Sequence, residues 1–352
     1  MKARLDNREV VRMAYRLILG REPENDNVLD FEFSDFQDLR QQFMSSEEFK
    51  VVSNEFFNKQ NAIKVIKNFE QFNDFVAKFQ RRDFEGADFD FLRSYVLDFN
   101  AFVKLFNTPR LSDDPFSDEY AQWEMLFFEF LSGRDYSFDS EGLNESAILP
   151  YMTSPPTFEM ALDTKIHLLK THADLLNILR PTPEMSVLEM GSGGGSLLEL
   201  FGRCGCRVTG LDASKGFAEY AKSRLNTQHI NGGVVHGSFY DVEKLNDKFD
   251  LIIFESSFHH CCEPVRLLRI LREKLSSNGK IIFVNEPMYS HYDRPWGIVR
   301  YDGEVMYQIR GVGWLELAFR PDFFEECLRL TGYKFVVHTL FDGMAVYEAS
   351  KQ

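Results

Sequence analysis

Short apolar runs and longer amphipathic runs alternate along the second half of the chain. The β-prone run at residues 186–188 follows the turn residues Pro181 and Pro183, which predicts a buried strand. Further strand-like runs occupy residues 207–212, 232–237, 249–256, 279–286, 333–340 and 344–349, with helix-like runs at 215–226, 264–276 and 322–331. This alternation is typical of a doubly wound α/β sheet, and Phe341-Asp342-Gly343 between the last two runs predicts a hairpin.

Before residue 140 the pattern changes to apolar residues at helical spacing with charged residues between them. Most of the 35 phenylalanines of the chain lie there. We expect the aromatic stripe over residues 56–138 to form the core of helices rather than a ligand-binding box. The joints are expected at Asp113-Asp114-Pro115 and at residues 142–150. The predicted organisation is a small helical domain at 1–62, a phenylalanine-rich helical region at 63–145, and an α/β domain at 146–352 with an insert at about 287–320.

A glycine-rich turn follows the first predicted strand, in the sequence Glu189-Met190-Gly191-Ser192-Gly193-Gly194-Gly195. Its glycines allow the backbone to turn sharply and to approach a ligand without interference from Cβ atoms. Ser196 can cap the helix-like run that follows. A strand, a glycine turn and a helix N-terminus together predict a site for an adenosine cofactor.

The details of this turn separate two classes of cofactor. A dinucleotide fingerprint would have its last glycine where this chain has Ser196. The carboxylate of Glu189, two residues before Gly191, would repel a pyrophosphate but suits a cationic amino-acid moiety. Asp212, at the end of the second predicted strand, is placed to accept hydrogen bonds from both hydroxyls of a ribose.

Glu189, the glycine turn and Asp212 together resemble the cofactor signatures of class I S-adenosylmethionine (SAM) dependent methyltransferases. The resemblance covers about residues 151–352. It implies a Rossmann-like sheet that is mostly parallel, with an antiparallel last strand, here preceded by an all-α N-terminal region. It also implies SAM as the cofactor, with the adenine near Ser238 and Phe239. The expected cofactor-binding residues are Glu189, Gly191, Ser192, Gly193, Gly195, Asp212, Ala213, Ser214, Ser238, Phe239, Glu255 and Tyr151.

The N-terminal region resembles a second family. Residues 15–23 (Tyr-Arg-Leu-Ile-Leu-Gly-Arg-Glu-Pro) and the later helix start Ser45-Ser46-Glu47-Glu48-Phe49 are similar to a small helical domain related to phycobilisome linkers. The resemblance covers about residues 6–52. That domain is often attached to bacterial glycosyltransferases and glycan-modifying enzymes. It therefore implies a role in surface-glycan biosynthesis and a protein partner that binds through the N-terminal helices.

Charge and composition restrict the partners and the compartment. A formal net charge of −14 argues against a nucleic acid or an anionic membrane as the main partner, because both attract basic surfaces. The hydrophobic content of 44% supports a folded core, and no apolar run approaches the length of a membrane span. The start of the chain lacks the apolar core of a signal peptide, and five cysteines do not make a disulfide framework. We therefore expect a cytoplasmic protein.

Three residues are candidates for catalysis of methyl transfer. Transfer from a sulfonium requires alignment with the acceptor and, for a hydroxyl, removal of a proton. His259 and His260 follow the fourth predicted strand and Glu286 ends the fifth, so all three are expected beside the cofactor. A structural role is the alternative for each of them. We expect no metal ion, because adjacent histidine side chains should diverge and no third ligand is evident.

The insert interleaves aromatic and charged residues. Such rings suit stacking against a sugar, although they could equally pack over the edge of the sheet. The aromatic residues are Tyr289, Tyr292, Trp296, Tyr301, Tyr307 and Trp314. We therefore predict a SAM-dependent methyltransferase that O-methylates a saccharide or another small-molecule hydroxyl. The alternatives are N-methylation of a small molecule and a noncatalytic scaffold that retains the SAM fold.

Overall fold

The chain forms two compact units, Met1–Lys64 and Val65–Gln352. A computed structural model describes residues 7–15, 23, 26–30, 33, 38–39, 42–43, 46, 63–80, 89–142 and 162–352. Tyr151, which is expected to bind the cofactor, and most of the expected joint at 142–150 lie outside these residues. The domain borders near residues 62 and 145 therefore stay predictions. Within the described residues, no helix is both long and apolar enough to cross a lipid bilayer.

The smaller unit contains helix α1 (Asn7–Ala14) and a 3₁₀ turn at Asp26–Asp30. Val10 and Ala14, which are one helical turn apart on α1, are buried. They belong to a small core in which the ring of Phe43 packs edge-on against Tyr15, with centroids 5.1 Å apart. The resemblance of this unit to the linker-related domain stays a prediction.

A seven-stranded sheet forms the centre of the larger unit. Its strands are β3 (Ser186–Met190), β4 (Arg207–Asp212), β5 (Gly232–His236), β6 (Phe249–Glu255), β7 (Leu275–Val284), β10 (Tyr333–Thr339) and β11 (Ala345–Lys351). Their spatial order is β10-β11-β7-β6-β3-β4-β5. Neighbours from β7 to β5 are parallel, whereas β11 is antiparallel to both β7 and β10. The predicted Rossmann-like sheet with an antiparallel last strand is confirmed.

Helices connect the strands as the alternating pattern requires. They are α7 (Leu162–Leu179), α8 (Ser196–Arg203), α9 (Lys215–Thr227), α10 (Pro264–Lys274) and α12 (Pro321–Leu330). The bounds of α9, α10 and α12 agree with the three predicted helix-like runs to within two residues. Strand β7, however, begins at Leu275 rather than at the predicted Gly279. The polar residues after Leu275 have the composition of a turn, but a register shift between Phe249 and Leu251 of β6 accommodates them in the strand.

The phenylalanine-rich region forms short helices and a small sheet, so the expectation of an all-α N-terminal region is wrong for this part of the chain. The helices are α2 (Phe69–Gln80), α3 (Phe89–Arg93), α4 (Phe99–Phe106), α5 (Asp118–Ser132) and α6 (Phe138–Gly142), and the two-stranded sheet joins β1 (Lys64–Ile66) and β2 (Tyr95–Leu97). Phe72, Phe102 and Phe127 are fully buried, in one hydrophobic cluster with Phe254 and Phe283 of the central sheet. The described part of the aromatic stripe is therefore core, and it shares that core with the sheet.

The insert at 287–320 lies between these helices and the sheet. It contains β8 (Trp296–Gly297), α11 (Gly303–Tyr307), a π-helical turn at Gln308–Val312 and β9 (Ala318–Phe319). Trp296 is held from the helical side, since its Nε1–H donates to the carbonyl of Pro115 and its own carbonyl accepts from the Tyr120 hydroxyl. Arg134 donates to the carbonyls of Val312 and Arg310.

A buried carboxylate on α5 connects the helices to the insert. Glu124 is completely buried and accepts hydrogen bonds from Arg294, Arg110 and the backbone N–H of Ile298, at 3.0, 2.9 and 3.2 Å. Burial raises the pKa of Glu124, and the two guanidinium groups act against that rise. A Cβ atom at Gly297 would lie 2.2 Å from Oε2 of Glu124, so only glycine leaves room for the carboxylate.

Replacement of Arg294 by methionine should destabilise the larger unit. It leaves the buried Glu124 with too little compensating charge, a loss that typically costs about 3–5 kcal/mol in the free energy of unfolding. The double variant Arg294→Met/Glu124→Gln should recover part of that loss. The control is Arg320→Met, which breaks an ion pair with the exposed Asp322 and should change stability by about 0–1 kcal/mol. Chemical denaturation measures all three, and equal stability of the first variant and the control would contradict the assigned role.

Removal of residues 1–62 and removal of residues 1–145 should have different outcomes. The first deletion takes away most of the smaller unit and should leave a folded protein. The second exposes the part of the shared core that packs against Phe254 and Trp296, so that fragment should aggregate. Size-exclusion chromatography and cooperative thermal unfolding distinguish the outcomes. A soluble 146–352 fragment that unfolds cooperatively would show that the sheet does not need the helices.

Candidate active site

The glycine turn connects β3 to α8 in a conformation that requires glycine at several positions. Gly191 has φ +75°, and a Cβ atom there would lie 2.6 Å from Cβ of Ser257. Gly193 has φ +46°, and no other atom lies within 4 Å of the place where its Cβ would be. The turn is therefore tightly packed at Gly191 and open to a ligand at Gly193.

Asp212 at the end of β4 joins two loops. Its Oδ2 accepts a hydrogen bond from the backbone N–H of Gly193 at 2.7 Å, and its Oδ1 accepts one from Ser214 at 2.8 Å. Burial raises the pKa of Asp212, and these two N–H donors oppose the increase. Each carboxylate oxygen still has lone pairs for a further donor.

Glu189 and Ser192 carry buried oxygens without a partner. Among the described residues, neither Oε2 of Glu189 nor Oγ of Ser192 has a hydrogen bond. Burial raises the pKa of Glu189 well above its usual value, and the nearby carboxylates of Glu255 and Asp212 add to that effect. Glu255 itself lies 3.1 Å from Nε2 of His172 on α7. The glycine turn is thus accompanied by an acidic group that a cationic ligand would stabilise.

A cavity of about 390 Å³ lies beside the turn. Its walls include these residues expected at the site: Gly191, Gly193, Asp212, Ala213, Ser214, Ser238, Phe239 and His260. The remaining lining residues in the described chain are Tyr136, Phe138, Glu141, Phe217, Gly237, Tyr240, Ser256, Ser257, Cys261, Cys262 and Trp314. The other expected residues within the described chain do not line it, namely Glu189, Ser192, Gly195, Glu255, His259 and Glu286.

Glu286 lies behind the cavity wall, where β7 ends, and organises the loop after β6. Oε1 accepts hydrogen bonds from the backbone N–H groups of Ser257 and Phe258 at 2.9 and 2.8 Å. Oε2 accepts one from the backbone N–H of His259 at 3.1 Å and lies 2.8 Å from Nδ1 of that ring. Burial alone would raise the pKa of Glu286, but these donors hold it below the usual value. Both oxygens of this carboxylate thus accept two hydrogen bonds each from the loop after β6.

The two histidines lie on a 3₁₀ turn at Phe258–His260. Their ring centroids are 4.4 Å apart with 37° between the planes, so the expectation that the adjacent side chains diverge is wrong. The reason is that carboxylates hold both rings. Nδ1 of His259 lies 2.8 Å from Oε2 of Glu286, and Nδ1 of His260 lies 3.1 Å from Oε2 of Glu141. A third carboxylate, Glu316, lies 3.6 Å from Nε2 of His259.

His260 is the one of the three candidate catalytic residues that reaches the cavity. Burial lowers the pKa of His260, but the carboxylates of Glu141, Glu316 and Glu286 outweigh burial and raise the pKa to about 9. Glu141 is itself held in place, because its Oε1 accepts a hydrogen bond from the backbone N–H of Leu315 at 3.0 Å.

Several of these site residues were not predicted from the sequence. Glu141 and Tyr136 belong to the helical region and reach the cavity only through tertiary packing, and Glu316 follows no motif. Of the six aromatic residues of the insert, Trp314 lines the cavity, and its buried Nε1–H has no partner among the described residues. Trp296 and Tyr292 are buried away from it.

Comparison with known proteins identifies the central part of the chain. Residues 188–283 match the family described as "Methyltransferase domain". A sarcosine/dimethylglycine N-methyltransferase of Halorhodospira halochloris is 32% identical over 155 residues, which are 43% of this chain and 52% of that protein. A ubiquinone biosynthesis O-methyltransferase of Coxiella burnetii is 30% identical over 100 residues, which are 28% of this chain and 42% of that protein. The chain thus spans about half the length of these curated relatives.

Solved structures with a similar fold include magnesium protoporphyrin IX methyltransferase from Synechocystis PCC 6803 with bound SAH. It is 15% identical, with a TM-score of 0.46, over 61% of this chain and 97% of that one. A SAM-dependent methyltransferase from Aquifex aeolicus is 16% identical, with a TM-score of 0.39, over 51% of this chain and 89% of that one. The matched sequence family makes residues 188–283 a methyltransferase domain, and the observed strand order places that domain in a Rossmann-like sheet.

Proposed function

We propose that this protein transfers the methyl group of SAM to a hydroxyl oxygen of a small molecule. The observation that carries the proposal is the composition of a single cavity. Its walls combine the glycine turn and Asp212 with a histidine, His260, whose ring is fixed by Glu141. Cofactor and acceptor would therefore meet within one space of about 390 Å³.

The residues at the turn fit the cofactor. SAM presents an ammonium group, two ribose hydroxyls and an adenine. Asp212 lines the cavity and keeps lone pairs for the ribose. Oε2 of Glu189 and Oγ of Ser192, which have no partner among the described residues, do not line the cavity and would have to turn toward it to hold the amino-acid end. Ser238 and Phe239 offer a cavity wall for the adenine. Bound there, SAM supplies an electrophilic methyl group on a sulfonium.

His260 is the group that we assign to the acceptor hydroxyl. A carboxylate only accepts hydrogen bonds, so the contact with Glu141 places a proton on Nδ1 of His260 and leaves Nε2 for other partners. The neutral form of the ring, which a pKa of about 9 makes the minor form at neutral pH, would orient the hydroxyl and accept its proton. His259 and Glu286 do not line the cavity, and we assign them a positioning role through the turn that carries His260.

A saccharide unit is the acceptor class that we would test first. Tyr136, Phe138 and Trp314 offer rings to the flat face of a sugar, and the Trp314 indole offers a free N–H donor. The same three rings with Glu141 also suit a cationic amine, which makes small-molecule N-methylation the second candidate. A role in surface-glycan biosynthesis rests on the resemblance of the N-terminal region alone.

Incubation with labelled SAM and a panel of acceptors tests the proposal. The panel contains nucleotide sugars and glycan intermediates, phenols and secondary amines. Transfer to oxygen acceptors is the expected result. Transfer to amines alone would favour the second candidate, and SAM binding without transfer to any acceptor would favour a noncatalytic scaffold.

Replacement of Asp212 by alanine should weaken SAM binding. The change removes the acceptor for the ribose hydroxyls and also releases the N–H of Gly193. We expect a loss of about 2–4 kcal/mol, from about 1.5–3 for each hydrogen bond to a charged group with partial replacement by water. Calorimetry on folded protein measures the affinity. Asp322→Ala, which removes an exposed carboxylate from α12, is the matched control and should bind SAM normally. Equal affinities would contradict the assignment.

Replacement of His260 by asparagine should lower turnover and leave SAM affinity unchanged. A positioned group that assists proton removal contributes about a hundredfold to ten-thousandfold in rate. His338→Asn serves as the control, because His338 also lies near a glutamate, Glu348, but on the edge strand β10, next to β11. Wild-type turnover in the His260, His259 and Glu286 single variants, all folded and SAM-bound, would mean that alignment alone drives transfer.

A further inference from the structure

We infer that His259, His260 and Glu316 bind a divalent transition-metal ion, to which the methyl acceptor presents an oxygen atom. The part that concerns the acceptor rests on the proposed function. One ligand atom from each of the three residues lies within 4.8 Å of those from the other two. The closest measured pair, Nε2 of His259 and Oε2 of Glu316, is 3.6 Å apart.

These separations are close to those of ligands that share one ion. Zinc holds nitrogen and oxygen ligands at about 2.0–2.2 Å, so two ligands on one ion lie at most about 4.4 Å apart. Small rotations of the side chains are enough to bring the three atoms to that spacing. The 3₁₀ turn makes this possible, because it places both rings on the same side of the loop, with centroids 4.4 Å apart.

The strongest indication is the second partner of each ring. Histidines that bind a metal almost always donate the other ring N–H to a carboxylate, a carbonyl or water, which fixes the tautomer. Here Nδ1 of His259 lies 2.8 Å from Glu286, and Nδ1 of His260 lies 3.1 Å from Glu141. Two adjacent histidines thus have the same arrangement, with both Nε2 atoms left for an ion.

The local charge also suits a dication. Glu141, Glu286 and Glu316 place three largely buried carboxylates around two rings. Arg300 lies next to this cluster, where burial lowers the pKa of Arg300 but the carboxylates of Asp302 and Glu316 outweigh burial and raise it. An ion of charge +2 would offset the negative charge that the three carboxylates bring to the two rings.

The type and number of the ligands indicate which metal ions would bind and whether the site is catalytic or structural. Two imidazoles and a carboxylate favour zinc, iron(II), cobalt(II) or nickel over magnesium and calcium, which prefer oxygen ligands. Three protein ligands leave a coordination position open, as in catalytic rather than structural sites. Since His260 lines the cavity, an acceptor oxygen there can take that position. Coordination to the ion would lower the pKa of a hydroxyl, so with the ion bound His260 would act on the acceptor as a ligand of the ion and not by direct contact.

Cobalt(II) titration of the full chain tests the site. Protein treated with a chelator and dialysed should bind one cobalt ion per chain in calorimetry and show visible d–d absorption. Glu316→Gln and His260→Asn should each weaken binding at least about tenfold, and Glu141→Gln, which changes only the second partner of His260, by about tenfold to a hundredfold. His338→Asn should bind like the wild type. No cobalt binding by the wild type, or equal binding by Glu316→Gln and the control, would overturn the site.

Activity separates this inference from the proposed function. Zinc added to the chelator-treated protein should raise the rate of methyl transfer to the identified acceptor at least about a hundredfold, which is the rate factor typical of assisted proton removal. The affinity for SAM should stay unchanged. Equal turnover with and without zinc would overturn the contact between ion and acceptor, while methyl transfer stands. Stoichiometric cobalt binding without transfer to any acceptor would uphold the site and overturn the proposed function.

Discussion

The carboxylate of Glu286 accepts four hydrogen bonds where β7 ends, and the geometry of the candidate site depends on them. Three come from consecutive backbone N–H groups of Ser257, Phe258 and His259, and the fourth from a histidine ring. A buried carboxylate needs such donors, since an unpaired charge in the interior is very costly. The loop after β6 therefore curls around the carboxylate. That curl aligns the two histidine rings and brings Ser257 against the glycine turn, where its hydroxyl donates to the carbonyl of Met190.

The cavity depends equally on residues outside the sheet. Tyr136, Phe138 and Glu141 come from the helical region, and Trp314 comes from the insert. The insert is held against the helices by the Glu124–Arg294 pair and by the hydrogen bonds of Trp296. The sheet thus supplies the glycine turn and Asp212, while the helical region and the insert supply further walls of the same cavity.

The sequence predicts those parts of the structure that depend on the local conformation of the backbone. Gly191 and Asp212 could be identified because a strand, a sharp turn and a helix start leave a recognisable pattern, and the doubly wound α/β class follows from the alternation of elements. Glu141 and Glu316 could not, because their roles arise from contacts with His260 and His259 that are distant along the chain. The divergence expected of the adjacent histidines is wrong because these residues lie on a 3₁₀ turn whose backbone N–H groups donate to Glu286.

Gly297 limits which segments of this protein could be exchanged with those of a related protein. Its missing side chain makes room for Glu124, which lies on a helix more than one hundred and fifty positions earlier in the chain. A graft of the insert alone into a related sheet would present Gly297 and Arg294 to a surface without that carboxylate. A graft of the helices alone would press Glu124 against a foreign side chain. The helices and the insert would therefore have to be exchanged together, although they are two separate stretches of the sequence.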